Sequence, residues 1–242
     1  MLFEVIEHHE VEKWNERLKL FSQRDVYYLN QYFTKGEYSD KGEPLLIFYE
    51  GESGMLLSYV VQQYDIAWST TFNGLKPNTY FDWSSPYGYG GPLIEQHNYQ
   101  DMRVFFDLLT QWCKANKIIS QFIRFHPLIS NYEVWKEFCV QRLEKHSVMI
   151  DISIKEKIWE NLSSKNRNMI RKAKKSSIRI YEDRNFEYYS NFIQLYYFTM
   201  KRNNSDEYFY FSTNYFLELK ENLGSHLSLF HALYDGRIIS SS

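Results

Sequence analysis

An eleven-residue segment from Asp82 to Pro92 carries residue types that suit close contact between a ligand and the backbone. It reads Asp-Trp-Ser-Ser-Pro-Tyr-Gly-Tyr-Gly-Gly-Pro. Glycine lets a chain turn sharply and approach a ligand without a Cβ atom in the way. A strand, a glycine-rich turn and a helix in succession would offer free N–H groups to an anionic or acyl ligand. The alternative is a tight surface loop that binds nothing.

A second feature is the basic segment Lys165–Lys175. No acidic residue occurs between Glu160 and Glu182, so seven basic side chains, counting Arg179, stand unopposed. On one continuous helix we expect an apolar face and an opposite basic face. The predicted apolar face consists of Ile158, Leu162, Met169 and Ala173, and the basic face of Arg167, Arg171 and Lys174. Like charges at this spacing repel, which phosphate would relieve. Phosphate binding and a solvated face both remain open.

Other chemical motifs are absent from the sequence. There is no Gly-x-Ser-x-Gly, no phosphate loop and no Cys-x-x-Cys. His8, His9 and His126 lack companions at ligand spacing, so we expect no metal site, and we interpret His126-Pro127 as a turn that ends a strand. No residue stands out as a general base. Asp82 is a candidate, although an aspartate before a turn is typically a cap.

The elements that must position these residues alternate between strands and helices. In the first part we predict a strand at 3–6, a helix at 11–21, a hairpin of strands 44–49 and 55–62, a helix whose apolar face runs from Met102 to Cys113, and a strand at 121–125. In the second part we predict a strand at 148–152, helices at 159–175 and 189–200, and a hairpin around Asp235-Gly236. The fold class is therefore α/β with a mixed sheet.

The second part repeats the order in which the first begins: strand, helices, hairpin. We predict two domains, 1–145 and 146–242, and we expect the second to be C-terminally incomplete in this chain. With a net charge of −2, the chain as a whole is not expected to attract nucleic acid or an acidic membrane. We predict a cytoplasmic protein, because the sequence has only two cysteines, no apolar run of membrane-spanning length and no visible signal peptide.

Four segments taken in order resemble the Fem-type peptidoglycan bridge-forming transferases of the wider GNAT acyltransferase superfamily. They are Ser85–Pro92 with Tyr-Gly-Tyr-Gly-Gly, Phe122–Leu128, Asn166–Ala173, and Leu195–Arg202 followed by Tyr208 and Phe211. The resemblance implies two GNAT-like domains in tandem that move an acyl or aminoacyl group from a carrier onto an amine. The long helical hairpin of some Fem proteins and the coenzyme A signature of GNAT proteins are both missing.

The resemblance also implies which residues line the acceptor cleft. The candidate substrate-binding residues are Asp82, Tyr87, Gly88, Tyr89, Gly90, Gly91, Arg167, Arg171, Tyr197 and Arg202. Arg167 and Arg171 would hold a diphosphate, and the tyrosines would line a channel. No bound cofactor is implied, because the donor is a co-substrate, either aminoacyl-tRNA or acyl-CoA.

Three functions remain open from the sequence. The first is a Fem-like transfer onto an amine of a lipid- or nucleotide-linked cell-wall precursor, with charged tRNA as a partner and peripheral contact with a membrane. The second is a CoA-dependent N-acyltransferase that acts on an amino sugar of a surface polysaccharide. The third is a non-enzymatic fragment that binds a precursor or a partner through the tyrosine-lined cleft.

Overall fold

The computed structural model describes residues 1–33, 42–72, 74–129 and 132–242. It divides into two compact units, Met1–Leu143 and Glu144–Ser242. Helices and sheets occur in both units, and one sheet contains parallel and antiparallel pairs, so the predicted α/β class with a mixed sheet is confirmed. No helix among the described residues is long and apolar enough to cross a bilayer.

The first unit is built on one sheet. Its strands and α-helices, within the described residues, are β1 (Leu2–Glu7), α1 (Val11–Lys19), β2 (Glu43–Glu50), β3 (Leu56–Asp65), β4 (Phe81–Ser84), β5 (Leu93–Glu95), α2 (Tyr99–Ala115) and β6 (Ile118–Phe122). The strand order is β1-β2-β3-β4-β6, and β5 pairs with β3. Only the β4–β6 pair is parallel among these strands.

Alternation along β2 places a hydrophobic core on each face of this sheet. Leu45, Ile47 and Tyr49 belong to the core that includes the buried face of α2. Leu46 and Phe48 belong to the core that includes Trp14 and Leu18 of α1. Successive side chains of a strand point to opposite faces, so a strand that is apolar throughout must be covered on both sides.

Local patterns predict most of this unit correctly. The hairpin of β2 and β3 pairs Glu50 with Leu56 across the expected turn, and α2 covers the predicted apolar face. The strand predicted at 121–125 is wrong in position, because β6 ends at Phe122. The pairing between β4 and β6 ends at Ser84 and Phe122. After Phe122 the chain pairs with the glycine-rich loop instead.

The second unit contains a three-stranded antiparallel sheet and four α-helices within the described residues. They are α3 (Lys155–Asn161), α4 (Ser164–Lys175), β7 (Arg179–Glu182), α5 (Tyr189–Arg202), α6 (Thr213–Leu223), β8 (Phe230–Tyr234) and β9 (Arg237–Ser241). The sheet order is β7-β8-β9. The predicted hairpin around Asp235-Gly236 is confirmed as β8 and β9.

Two predictions for this unit are wrong. Residues 148–152 form no strand, and Val148 and Ile152 are exposed because no neighbouring strand pairs with them. The single helix predicted from Trp159 to Lys175 is two helices. The chain leaves helical geometry at Leu162, and the Ser163 hydroxyl then accepts a hydrogen bond from Asn166 N, as a helix N-cap does.

This break also overturns the predicted faces of the basic helix. Arg167, Ile170 and Ala173 are its half-buried side chains, at spacings of three residues, so they mark the inward face of α4. Met169, which the prediction placed on the apolar face, is 60% exposed and does not belong to the inward face. The prediction assumed one helical register from Ile158 onward, and the cap at Ser163 resets that register.

The two sheets share an order of elements. In the first unit a strand, a helix and an antiparallel hairpin follow one another, and β1 pairs with the first hairpin strand. In the second unit β7, two helices and the hairpin of β8 and β9 follow in the same way, and β7 pairs with β8. In the second unit this order of elements begins at Arg179, whereas the sequence predicts its first strand at 148–152.

Candidate functional site

The glycine-rich loop from Ser85 to Pro92 is held by the chain that follows β6. Ser85 N donates to Phe122 O at 2.9 Å, and Gly90 N donates to Arg124 O at 2.8 Å. His126 N in turn donates to Gly90 O at 3.0 Å. The loop therefore prolongs the parallel β4–β6 pairing, and its backbone has a defined position in the first unit.

The structure corrects the predicted path out of this loop. The loop runs into β5 (Leu93–Glu95), which pairs with β3, and the helix begins only at Tyr99. The side chain of Asn98 accepts hydrogen bonds from Gln100 N and Asp101 N and so caps that helix. The first N–H groups of α2 are thus used within the protein. A strand separates the glycines from the helix, so the loop does not lead directly into these groups.

Gly88 allows Tyr27 to lie against the loop. Its φ is +112°, and a Cβ atom at this position would lie 2.3 Å from Cε1 of Tyr27. The neighbouring carbonyl of Tyr87 accepts a hydrogen bond from the Tyr32 hydroxyl. Among the described residues, the N–H groups of Gly88 and Tyr89 have no hydrogen-bond acceptor. Gly90 and Gly91 are buried at the end of the loop.

Three rings form a compact aromatic cluster beside the glycines. The centroids of Tyr27 and Tyr89 are 5.8 Å apart, those of Tyr89 and His126 5.7 Å, and those of Tyr27 and His126 6.2 Å. The first two pairs are edge-to-face, an arrangement in which the edge of one ring meets the electron-rich face of the other. The cluster joins the loop to the segment after α1.

His126 is buried, with 4% of its side chain exposed, and it orients Asp25. Its Nδ1 atom accepts hydrogen bonds from Leu128 N at 3.1 Å and Ile129 N at 3.2 Å. A backbone N–H can only donate, so Nδ1 carries the lone pair and the proton is on Nε2. Nε2 lies 2.9 Å from Asp25 Oδ2 and donates to it. The histidine is therefore neutral and fully bonded.

Asp25 is the accessible member of the pair, because 39% of its side chain is exposed. Its carboxylate also accepts a hydrogen bond from Val26 N, which leaves it fixed at the edge of the tyrosine cluster. Burial raises the pKa of the Tyr27 phenol, and the charge of Asp25 adds to the shift. The phenol therefore stays protonated beside the carboxylate. The arrangement can receive a cation and accept a proton.

Asp82 does not have the capping role that the sequence predicts. It lies within β4, and its Oδ1 atom accepts a hydrogen bond from the hydroxyl of Ser120 on β6 at 2.7 Å. Its Cα atom is paired with Tyr64 on one side and Ser120 on the other. The side chain thus links two strands, because the turn begins three residues later than the aspartate.

The other four predicted site residues belong to the second unit. Nη1 of Arg167 donates to the carbonyls of Trp159, Glu160 and Leu162, at 3.5, 3.1 and 2.7 Å. The Arg171 guanidinium lies 5.3 Å from the centroid of the Trp159 ring. These contacts join α4 to the end of α3. A basic side chain that satisfies helix-end carbonyls has a structural use before any ligand arrives.

Tyr197 and Arg202 lie on α5. The Tyr197 hydroxyl donates to Phe211 O at 2.6 Å, which fixes the segment before α6 against α5. Arg202 is exposed at the last residue of the helix. Neither residue shares an element with Arg167 or Arg171, which lie on α4.

The residues that sequence reasoning missed are Asp25 and Tyr27. The available signal was Asp25-Val26-Tyr27-Tyr28, an aspartate in front of two tyrosines, in a segment without periodicity. No group of three or more His, Cys, Asp or Glu side chains in the described part of the chain could hold a metal ion. Compared with protein-family models and with curated proteins, the chain gives no match to either.

Proposed function

We propose that this chain transfers an acyl or aminoacyl group onto a primary amine, in the manner of a Fem-like transferase, and that the acceptor is an amine-bearing cell-wall precursor. The observation that carries the proposal is the Asp25 carboxylate, which is oriented by buried His126 and exposed beside the tyrosines of the glycine loop. An amine acceptor needs such a group, since it arrives as an ammonium ion at neutral pH.

Asp25 would first pair with this ammonium ion, and the faces of Tyr27 and Tyr89 would add cation–π attraction. The ammonium ion releases one proton to solvent, and the neutral amine attacks the carbonyl carbon of the acyl donor. As the C–N bond forms, the nitrogen becomes strongly acidic, and the Asp25 carboxylate accepts its second proton. The carbon–oxygen or carbon–sulfur bond to the carrier breaks, and the departing alcohol or thiol takes up the proton that Asp25 accepted, which returns Asp25 to its ionised form.

His126 supports this step without exchanging a proton itself. Both of its ring nitrogens are in use, since Nδ1 accepts from two backbone N–H groups and Nε2–H donates to Asp25. A base must have a free lone pair, so His126 is a positioning residue and Asp25 is the candidate base. Holding a reacting group in its productive geometry is itself a large part of catalysis.

The donor in this proposal is aminoacyl-tRNA, with acyl-CoA as the alternative carrier. The repeated order of strand, helices and hairpin supports a tandem arrangement of GNAT-like units, as the resemblance implies. The N–H groups of Gly88 and Tyr89 are candidate donors to the developing oxyanion, because they have no acceptor among the described residues.

A transfer assay tests the proposal. The chain is incubated with UDP-N-acetylmuramoyl-pentapeptide and either aminoacyl-tRNA or acetyl-CoA. The mass of the acceptor is then measured by mass spectrometry. We expect an aminoacyl or acetyl mass increase that depends on the chain and falls by a factor of about 100 or more in Asp25→Asn. Asp82→Asn is the matched control and should retain activity. An unchanged acceptor mass with both donors would contradict the proposed function.

A further inference from the structure

The sheet of the second unit brings a serine, a histidine and an aspartate into one hydrogen-bonded row. His231 lies on the central strand β8, and its Cα atom is paired with that of Ser241 on β9. The Oγ atom of Ser241 lies 2.7 Å from Nδ1 of His231. The Oδ2 atom of Asp183 lies 3.3 Å from Nε2 of the same ring. None of the three residues belongs to the Asp25 site.

The register of β8 and β9 explains why the serine reaches the histidine. Phe230 and Ser242, one position further along, exchange both backbone hydrogen bonds, at 2.8 and 2.9 Å. Bonded and non-bonded pairs alternate along an antiparallel ladder, so His231 and Ser241 form a non-bonded pair, in which side chains lie closest. In such a pair the backbone N–H points away from the partner strand. The N–H of Ser241 therefore points to the outer side of β9, which is an edge strand among the described residues.

The direction of the hydrogen bonds in this row follows from the aspartate. Burial raises the pKa of Asp183, but hydrogen bonds from two backbone N–H groups and the neighbouring His231 hold it below its ordinary value. The carboxylate is therefore ionised and can only accept, so Nε2 of His231 carries a proton and donates it. In the neutral ring Nδ1 then keeps its lone pair, and the hydroxyl of Ser241 donates to it.

Burial differs among the three side chains. Those of His231 and Asp183 are fully buried, whereas Ser241 is half-buried. The ring of Tyr181 is stacked on the imidazole with centroids 6.4 Å apart, and that of Tyr188 meets it edge-on at 6.0 Å. These rings cover the base, so the serine is the member of the row that a ligand can reach.

We propose that Ser241 is a nucleophile toward carboxylic esters, with His231 as its general base and Asp183 as a positioning residue. A hydroxyl bonded to a base that a third group orients is the arrangement that activates a serine. The outward N–H of Ser241 would donate to the ester oxygen as negative charge develops on it. A serine that only stabilises the hairpin would make the same contact without reacting, so reactivity decides between the two roles.

The reaction would be ester hydrolysis through an acyl-serine. Oγ of Ser241 bonds to the carbonyl carbon while its proton passes to Nδ1 of His231, and the imidazolium is paired with the ionised Asp183. The carbon–oxygen bond to the alcohol breaks, and the alcohol leaves with the proton from Nδ1. Water then attacks the acyl carbon and gives a proton to Nδ1, and Oγ takes this proton back as the carboxylic acid departs. The inference does not rest on the proposed amine transfer, since it needs neither an amine nor an acyl carrier.

Reaction of the full chain with diisopropyl fluorophosphate tests the inference. This reagent phosphorylates an activated serine and releases fluoride, and mass spectrometry of the peptides identifies the modified residue. We expect one adduct, at Ser241, and none in Ser241→Ala. The neighbouring Ser240 is exposed and lies on the opposite face of β9, so Ser240→Ala is the matched control. It should react like the unmodified chain.

His231→Gln tests the base separately. Glutamine can keep hydrogen bonds to Ser241 and Asp183 but cannot take up a proton, so the rate of modification should fall by a factor of about 100 or more. Circular dichroism identifies the folded variants, and the two serine variants decide the matter if His231→Gln does not fold. An unmodified Ser241 in the starting chain, equal losses in Ser240→Ala and Ser241→Ala, or an unchanged rate in folded His231→Gln would overturn the inference.

Discussion

The Nε2 atom of His126 lies 2.9 Å from the Oδ2 atom of Asp25, although the two residues are 101 positions apart. The pair connects the segment after α1 with the segment after β6, and the glycine loop lies against both through Tyr27 and Gly90. A buried imidazole with both nitrogens bonded is a rigid support. It holds an exposed carboxylate in one place beside the tyrosines.

Replacing His126 should cost stability. In His126→Phe the N–H groups of Leu128 and Ile129 lose their acceptor and Asp25 loses its donor, so we expect the free energy of unfolding to fall by about 2 kcal/mol. Urea unfolding measures this change. His97→Phe, at an exposed position, is the control and should be close to neutral. Equal stability of the two variants would mean that the His126 hydrogen bonds contribute little.

Gly88 should be required for the position of Tyr27. Gly88→Ala introduces a Cβ atom 2.3 Å from the Tyr27 ring in addition to the strain of a positive φ. Gly74→Ala has a similar φ of +102° with nothing within 4 Å of the new atom, so it isolates the backbone strain. We expect Gly88→Ala to lower the transfer rate by a factor of about 10 or more through lost positioning. Gly74→Ala should leave the rate unchanged, and a similar loss in both variants would contradict this role of Tyr27.

The second unit should lose stability in acid through Asp183. This buried carboxylate accepts hydrogen bonds from Tyr188 N at 2.7 Å and Glu187 N at 3.0 Å, and His231 Nε2 lies 3.3 Å away. Burial alone would raise the pKa of Asp183, but the hydrogen bonds and His231 hold it below its ordinary value of 3.8. The ionised form is therefore stabilised by folding.

Since the folded pKa is the lower one, this contribution is complete above about pH 5 and is lost as the pH falls through 3.8 toward the folded value. Asp183→Asn should lower the free energy of unfolding at pH 7 and should make it depend less on pH in acid. Hydrogen exchange of the Tyr188 amide gives a local measurement. An unchanged pH dependence of that exchange in the variant would show that another group governs the acid limb.

Replacing each arginine of α4 in turn should show that Arg167 contributes more to stability than Arg171 does. Arg167→Gln removes donors from the carbonyls at the end of α3, so we expect a loss of stability of about 1 to 3 kcal/mol. Arg171→Gln removes a contact with Trp159 at the surface and should cost about 0.5 kcal/mol. Thermal unfolding measures both. If Arg167→Gln is as stable as Arg171→Gln, the carbonyl contacts are not what keeps Arg167 in place.

Periodic segments could be predicted from the sequence because their partners are close in the chain. The hairpin of β2 and β3 and the helix α2 follow from alternation, from a turn rich in glycine and from one apolar face. The segment Val148–Ile152 has the same composition as a strand, but it is exposed, since a strand exists only where a neighbour pairs with it.

The candidate site could be predicted only in part. The glycines and tyrosines of the loop identify a place where backbone and ring come close, and Tyr27 against Gly88 shows such a contact. Asp25 could not be found, because its importance depends on a contact with His126 that no local pattern encodes. The inward position of Arg167 was missed for a different reason, since a single N-cap at Ser163 changed the helical register.

Calorimetric titration of two ligands into two proteins tests the central claim, which is that Asp25 holds the amine of the acceptor. The ligands are UDP-N-acetylmuramoyl-pentapeptide and the same compound with its free side-chain amine acetylated, and the proteins are the unmodified chain and Asp25→Asn. We expect the unmodified chain to bind the free amine at least about 10 times more tightly than the acetylated one. Asp25→Asn should bind both ligands equally. The four affinities form a double-mutant cycle, which isolates the contact between carboxylate and ammonium. The same preference for the free amine in both proteins would contradict the account.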